Sequence, residues 1–294
     1  MKAAVFYYSQ SGQALKAAES FCGLMSAVFK EIIPLQKYPF PWSRKDFFQA
    51  FPESRLGLPP SGIEPIDFSD IEDADIAVVA GQSWFLSPSL PLQSFFLDEG
   101  VRAYLNGRKV IFINACRNMW LMTSRRIKEY LSQAGATLVG HIVLQDRASN
   151  LVSAVTIIRW LLHGKKEATS ILPPAGVRVE DLEGASRFGE ETMRVFESGD
   201  LSGLQPALLE KGAIKYKPSI LAIEKTGHRI FGFWAKFIRK KGEFGEERRQ
   251  GRLSLFYYYL LFVLFCLSPL VQLFFWITYP LRRVQYNKLI DCNV

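Results

Sequence analysis

The pattern of apolar and polar positions alternates between short apolar runs and helical periodicity from residue 3 to residue 198. Apolar runs of strand length that are separated by helical segments are typical of a parallel α/β sheet. The predicted strands cover residues 3–8, 29–35, 76–80, 110–114 and 137–144. The predicted helices cover residues 14–29, 90–105, 122–134, 151–166 and 184–198. We expect a doubly wound, five-stranded parallel sheet with the strand order 2-1-3-4-5 and right-handed crossovers.

Two insertions depart from this alternation. Residues 36–65 are rich in proline and aromatic residues, among them Trp42 and Phe47. Because a solvent-exposed linker would hold fewer aromatic residues, we expect this segment to pack over another part of the chain. The helix predicted at residues 151–166 is the second insertion and is amphipathic.

A long run without a charged residue occupies residues 253–281. As one straight helix it would exceed the hydrocarbon thickness of about 30 Å, yet two full spans would need about 40 residues. We predict one tilted or kinked membrane anchor, and a re-entrant hairpin that turns at Ser268 and Pro269 is the alternative. The aromatic and basic stretch at 230–241 is typical of a helix that lies in the membrane interface.

The charge distribution supports a membrane partner rather than a nucleic acid. The net charge is +8, and much of the excess lies beside the apolar run, where anionic lipid headgroups would meet it. Four cysteines without a CxxC pair indicate a reducing compartment. No secretory signal precedes the first strand, so we expect the N-terminal domain at the cytoplasmic face of the inner membrane.

This pattern divides the chain into an α/β domain and a membrane-attached helical part. The three histidines show no metal-ligand spacing, so we expect no metal site, and a homodimer is compatible with the sequence. The predicted units are a domain at 1–205, a basic linker with an interfacial helix at 206–252, an anchor at 253–281 and a basic tail at 282–294.

The turn between the first predicted strand and its helix has the composition of an anion-binding loop. Backbone N–H groups at a helix start, with hydroxyl donors and a glycine that permits close approach, favour a phosphate there. No lysine is present, which excludes the nucleoside-triphosphate loop. An ordinary serine-capped turn is the alternative. The loop is similar to the flavodoxin loop that holds the phosphate of FMN, and its predicted cofactor-binding residues are Ser9, Gln10, Ser11, Gly12 and Gln13.

Two further loops follow the third and fourth predicted strands and should meet the first at one edge of the sheet. Their flat side chains suit the faces of an isoalloxazine ring, although loop packing would also explain them. The predicted cofactor contacts there are Ser83, Trp84, Phe85, Cys116, Asn118 and Trp120. The candidate catalytic residues are Arg117, Asn118 and Glu53. Cys116 has no histidine near it in sequence and is more typical of a small packing residue than of a nucleophile.

Three groups of motifs together resemble one bacterial family of flavodoxin-like proteins, labelled dialkylresorcinol condensing enzymes. Members accompany polyketide-type pathways for dialkylresorcinols and flexirubin pigments, and the resemblance extends from residue 1 to about residue 200. The matching segments are residues 7–13, residues 40–42 with 47–48 and 52–54, and residues 116–120.

The resemblance implies FMN as the cofactor and a lipid-like substrate at a membrane. Condensation by ketosynthases needs a cysteine with histidine and asparagine partners, which this sequence does not offer, so a flavin step fits better. Such a step would aromatise a dialkyl cyclohexanedione by removing a hydride and a proton, or would assist a ketosynthase partner. The alternatives are an NAD(P)H-dependent quinone reductase and a non-catalytic scaffold. Ala14, where flavodoxins usually carry a threonine, supports the scaffold and predicts weaker FMN binding.

Overall fold

The computed structural model describes residues 1–267, 270, 271, 273 and 275–279. Its centre is a sheet in which five parallel strands run in the order β2-β1-β3-β5-β6, and the two-residue strand β4 pairs antiparallel with β3. β4 only forms a short hairpin with β3, so the strands predicted as four and five correspond to β5 and β6. The predicted 2-1-3-4-5 order is confirmed. The strands are β1 Lys2–Tyr7, β2 Ser26–Glu31, β3 Ile76–Trp84, β4 Ser87–Pro88, β5 Lys109–Cys116 and β6 Thr137–Gln145.

Twelve α-helices surround the sheet in the described part of the chain. Short 3-10 turns lie at Leu201–Gly203 and Glu247–Arg249, and a π-helical segment spans Val263–Leu267. The helices are α1 Gln13–Phe21, α2 Arg44–Gln49, α3 Phe51–Leu56, α4 Leu90–Leu97, α5 Glu99–Leu105, α6 Leu121–Gln133, α7 Asn150–His163, α8 Val179–Glu183, α9 Ser186–Glu197, α10 Leu204–Glu210, α11 Pro218–Arg239 and α12 Gln250–Phe262.

Three predicted boundaries are wrong, and the local sequence explains them. The first helix ends at Phe21 rather than 29, and β2 begins at Ser26, before the predicted 29–35. The segment that forms β2 places apolar and polar residues in an order that also fits a helix, so periodicity alone does not separate the two. The helix predicted at 90–105 breaks at Asp98, whose side chain accepts the Val101 N–H at 3.0 Å and so starts α5 as an N-cap.

The core forms two layers, one on each face of the sheet. Alternate residues of β1 serve the two layers: Ala3 and Val5 face α1, α8, α9 and α10, whereas Ala4 and Phe6 face α4, α5 and α6. Gly189 of α9 marks the tightest approach, because a Cβ there would lie 1.9 Å from the carbonyl oxygen of Phe21. Both faces are thus covered, as a parallel sheet requires.

The C-terminal helices pack on the body through α3. Phe256 of α12 stacks on Phe51 of α3 at 3.8 Å between ring centroids, and Ala235 and Ile238 of α11 are fully buried in the same cluster. The segment predicted as a linker at 206–252 therefore contains helices that share a core with the sheet domain. The insertion at 36–65 supplies α2 and α3 to this contact, which is the packing role expected of its aromatic residues.

The opposite side of the C-terminal helices carries exposed apolar residues. On α11 these include Phe233, which is 75% exposed, with Ile230 and Phe237 at helical spacing on the same face. Residues Glu247–Leu267 form a helix that is long and apolar enough, by length and composition, to cross a membrane, with a mean hydropathy of 1.4. The predicted turn at 268–269 and the tail at 282–294 lie outside the described residues.

Candidate functional site

The loop between β1 and α1 has the geometry of an anion cradle. Gly12 is the N-cap of α1 with φ +79°, and a Cβ added there would meet nothing within 4 Å. The Oγ of Ser9 accepts the N–H of Leu15 at 3.1 Å and keeps its own hydroxyl proton for another acceptor. The N–H groups of Gln13 and Ala14 lie in the first turn of α1, where no carbonyl of the helix precedes them to accept a hydrogen bond. A phosphate would therefore find free backbone donors in open space.

The glutamine side chains of this loop brace the fold instead of facing the cradle. Gln10 accepts the indole N–H of Trp42 at 3.1 Å and donates to the carbonyl of Pro39 at 3.0 Å. Gln13 donates to the carbonyl of Val177 at 2.7 Å and accepts the Val177 N–H at 3.3 Å. These two residues can thus contact a cofactor through their backbone, while their side chains tie the loop to distant segments.

The turn that joins β3 to β4 is strained. Phe85 and Leu86 have φ of +48° and +62°, and they form a two-residue turn closed by the Trp84–Ser87 pair. Such turns normally use glycine or asparagine, since a side chain is disfavoured at positive φ. Bulky residues held there are typical of functional sites. The sequence offered no signal for this turn, because it lacks the usual turn residues.

Trp84 lies among aromatic residues of the chain itself. Its ring is 5.2 Å from Tyr38, 5.2 Å from Trp42 and 6.0 Å from Tyr8, measured between centroids, and all three contacts are edge-on. The Trp84 side chain therefore packs within the chain's own loops, which is the alternative given above for the aromatic residues. Phe85 and Ser83 instead border a cavity.

That cavity, of about 300 Å³, lies beyond the carboxyl ends of β3 and β5. Its polar groups are Ser83 near the end of β3, Arg117 in the loop after β5, and Asn150 at the start of α7. The rest of the wall is almost entirely apolar and comes mainly from α7, α11, α12 and the π-helical segment, with contributions from α2, the β3–β4 turn and Met119. The main apolar lining residues are Phe85, Ile158, Leu161, Ile223, Phe231, Leu260 and Leu264. We call this space the apolar cavity; it suits a molecule with one polar end and apolar tails.

Arg117 borders the apolar cavity, whereas its neighbour Asn118 borders a separate cavity with Ser149 and Tyr216. Arg117 donates through Nη1 to the carbonyl of Asn150 at 3.0 Å, and Asn118 donates through Nδ2 to the Asn150 side chain at 3.0 Å. Burial lowers the pKa of Arg117 to about 10, so the guanidinium stays charged at neutral pH. Asn118 is 3% exposed, and its Oδ1 has no hydrogen-bond partner among the described residues.

Cys116 and Trp120 lie behind this loop, in the core. Trp120 is 5.7 Å from His141 and 5.5 Å from Tyr216, between ring centroids, and neither Cys116 nor Trp120 borders the apolar cavity. Burial raises the pKa of the Cys116 thiol, which therefore stays protonated and unreactive at neutral pH. The side chains of these two predicted cofactor contacts are core residues in this structure.

Glu53, a candidate catalytic residue, lies away from the apolar cavity. It is fully buried in α3, where Arg249 donates to both of its oxygens at 2.8 Å and Arg239 donates at 3.0 Å. Both carboxylate oxygens are thus occupied by guanidinium donors inside the core, and Glu53 does not border the apolar cavity. The predicted catalytic role of Glu53 is therefore replaced by a structural one: it ties the C-terminal helices to the body. The sequence could not reveal this, because the partners are almost two hundred residues away.

The strand order and the position of these loops define the fold. The fold is flavodoxin-like. Among similar solved structures, a flavoprotein in complex with FMN from Lactobacillus acidophilus NCFM is 16% identical, with 49% of this chain and 93% of that chain covered and a TM-score of 0.39. A flavodoxin from the domain Archaea is 14% identical, with 64% and 94% covered and a TM-score of 0.34.

The azoreductase AzrA is also similar, at 12% identity, with 64% of this chain and 100% of that chain covered and a TM-score of 0.34. No protein-family model and no curated protein matches the chain. Within the described residues, no group of three or more His, Cys, Asp or Glu side chains could hold a metal ion.

Proposed function

We propose that this chain is a membrane-attached, FMN-dependent oxidoreductase that acts on a ring carrying alkyl tails. The observation that supports this most directly is the apolar cavity, which connects the loops at the sheet edge to the apolar C-terminal helix. The solved structures that the chain resembles in fold include a flavoprotein in complex with FMN. A long apolar wall next to that edge favours a lipid-like substrate over a soluble electron-carrier partner.

The residues of the first loop fit the phosphate of FMN. The free N–H groups of Gln13 and Ala14, the hydroxyls of Ser9 and Ser11 and the open space at Gly12 would hold it. FMN supplies the ability to take up and release a hydride. Ala14 lacks the hydroxyl that a threonine would add, so we expect binding to be weaker than with that donor.

Arg117 is the residue we assign to charge stabilisation at the polar end of the cavity. Its guanidinium is held by the Asn150 carbonyl, remains charged, and has further N–H donors for an oxygen of the substrate. Negative charge that develops on such an oxygen would be stabilised in a site from which the apolar wall excludes water. Asn118 donates to the Asn150 side chain and holds it in place, while its own Oδ1 makes no hydrogen bond among the described residues.

The substrate we propose is a dialkyl cyclohexanedione of the dialkylresorcinol type, which loses a hydride and a proton to become aromatic. Its ring oxygens suit Arg117 and its tails suit the apolar wall, and a ketosynthase would supply it. This proposal extends the resemblance of residues 7–13 and 116–120 to the dialkylresorcinol family. The chain would work at the cytoplasmic face of the inner membrane, where lipid-like molecules concentrate at about 0.8 kcal/mol per CH₂.

Flavin titration of a Gly12→Val variant tests the cofactor assignment. The valine side chain would enter the space of the phosphate, so we expect the Kd for FMN to rise about tenfold or more. Gly107→Val is the matched control: Gly107 also has positive φ and open surroundings, but it precedes β5 at the opposite edge of the sheet. It should keep the FMN affinity. If the unchanged chain does not bind FMN, the cofactor assignment is wrong and the non-catalytic scaffold becomes the supported function.

Anaerobic mixing of the FMN-loaded chain with substrates tests the reaction. A dialkyl cyclohexanedione should bleach the oxidised flavin absorbance and yield the resorcinol. If instead the flavin is reduced only by NAD(P)H and reoxidised by an alkyl quinone, the quinone-reductase alternative is correct. Shortening the alkyl tails should raise KM, because each lost CH₂ removes apolar contact.

A further inference from the structure

The start of α6 is capped by a residue from another element. Trp120 is the N-cap of α6, and its side chain makes no capping hydrogen bond, since an indole has no acceptor. Glu224 of α11 supplies the acceptors instead. Its Oε1 accepts the Met122 N–H at 2.8 Å and its Oε2 accepts the Trp120 N–H at 3.2 Å. A carboxylate from one helix therefore closes the N-terminus of another.

This carboxylate is held where charge is unfavourable. Glu224 is fully buried, and burial raises its pKa to about 7, although the backbone N–H groups of residues 120–122 oppose the shift. Arg125 of α6 also favours the charged form, and the buried thiol of Cys116 lies within its electrostatic reach. A serine at residue 120 would cap α6 without burying a charge. The distinguishing feature of the present arrangement is that it joins α6 to α11.

The loop that leads into α6 and the helix α11 both border the apolar cavity. The loop between β5 and α6 ends at Trp120, and Arg117 and Met119 of this loop border the cavity. From α11, Ile223 and Phe231 border the same space, and Ile223 is the direct neighbour of Glu224. The hydrogen bonds of Glu224 therefore span the junction between the loop that carries Arg117 and the helix that faces it.

We propose that Glu224 is a positioning residue that holds the loop of residues 117–120 against α11 and thereby sets the direction of Arg117 in the apolar cavity. The proposal rests on the proposed function where it concerns Arg117 and substrate. The contact between Glu224 and the start of α6 stands independently of it.

Amide hydrogen exchange of the full chain carrying Glu224→Gln tests the proposal. A glutamine retains one acceptor oxygen, so one of the two N–H groups loses its partner. Exchange in residues 117–123 should rise about tenfold or more, while β1 and β3 keep their rates. Glu129→Gln is the control, because Glu129 is an exposed carboxylate of the same helix α6, paired with Arg126. It should leave all rates unchanged.

Glu224→Asp is a second variant that keeps the charge but is one methylene shorter, so it guards against misfolding of the first. It should loosen the same residues. With FMN and substrate, both variants should lower kcat more than they raise KM, since the loss concerns the orientation of Arg117. Unchanged exchange at 117–123, or an equal rise in every strand, would overturn the proposal. Local loosening without FMN binding in any variant would instead support the contact and refute the proposed function.

Discussion

The side chain of Glu53 shows how position decides the role of a carboxylate. It and Arg249 are both fully buried, and Arg249 also donates to the carbonyl of Gln49 at 2.7 Å. The group is thus a buried ion pair between α3 and the turn before α12. Removing one partner of such a pair leaves a charge without compensation.

We expect Glu53→Ala to lower the free energy of unfolding by about 3–5 kcal/mol, because two guanidinium groups lose their acceptor. Urea unfolding of the full chain in detergent, followed by tryptophan fluorescence, measures this. Glu247→Ala is the control, since Glu247 pairs with Lys45 at the surface, and it should change the stability by about 0–1 kcal/mol. Equal effects of the two substitutions would contradict the buried-pair interpretation.

Glu224 gives the folded chain a specific pH dependence. Its pKa lies at about 7 in the folded chain, raised mainly by burial from the ordinary value of 4.5. Between these values the folded chain holds a proton that the unfolded chain has released. This contribution to stability is therefore complete below pH 4.5 and is lost as the pH rises through 7.

Unfolding midpoints measured from about pH 5 to about pH 8 should fall less in Glu224→Gln than in the unchanged chain. His228 has the opposite effect, since burial and then Arg55 lower its pKa to about 4, but it is present in both proteins. The difference between the two curves isolates Glu224. Parallel curves would show that this carboxyl does not take up a proton in that range.

At the scale of elements, α11 has distinct faces along one helix. One face, with Glu224, Ala235 and Ile238, is buried against α3, α6 and α12. A second, with Ile223 and Phe231, borders the apolar cavity. The outer face carries the exposed apolar residues, and basic residues flank it; these are Arg229, Lys236 and Lys240. We propose that this outer face lies in the interface of an anionic bilayer.

Cysteine labelling in lipid nanodiscs tests that orientation. Phe233→Cys and Leu24→Cys, placed in a chain with Cys266→Ser and Cys292→Ser, introduce thiols at positions that are 75% and 67% exposed. In phosphatidylglycerol nanodiscs a membrane-impermeant maleimide should label residue 233 about tenfold more slowly than residue 24, because lipid would shield a thiol on the outer face of α11 from a reagent in water. Equal labelling rates would place α11 in water.

At the scale of the whole molecule, the flavodoxin-like sheet and the C-terminal helices form one body. The insertion at 36–65 joins them: its α3 contacts the sheet through the Ser54 hydroxyl, which donates to the carbonyl of Trp84 at 3.1 Å, and contacts α12 through Phe51. The apolar cavity exists only because these parts meet. The first two hundred residues would not enclose it by themselves.

The sequence by itself determined the parallel sheet, its strand order and the three loops at its edge. The strands, helices and loops follow from apolar runs, helical periodicity and the composition of residues 9–13. Each of these patterns depends only on residues that are close in sequence. The open geometry at Gly12 could be expected for the same reason. The apolar character of residues 253–267 was equally evident from the sequence.

Only the tertiary structure decided which side chains face the cavity. Glu53, Gln10 and Trp120 were plausible site residues by type and position, yet each is engaged by a partner distant in sequence, respectively Arg249, Trp42 and Tyr216. Conversely, helices were predicted at 151–166 and 230–241, but no local pattern placed α7 and α11 at the cavity wall. Local periodicity fixes what an element is, whereas the contacts between distant elements decide what a residue in it can do.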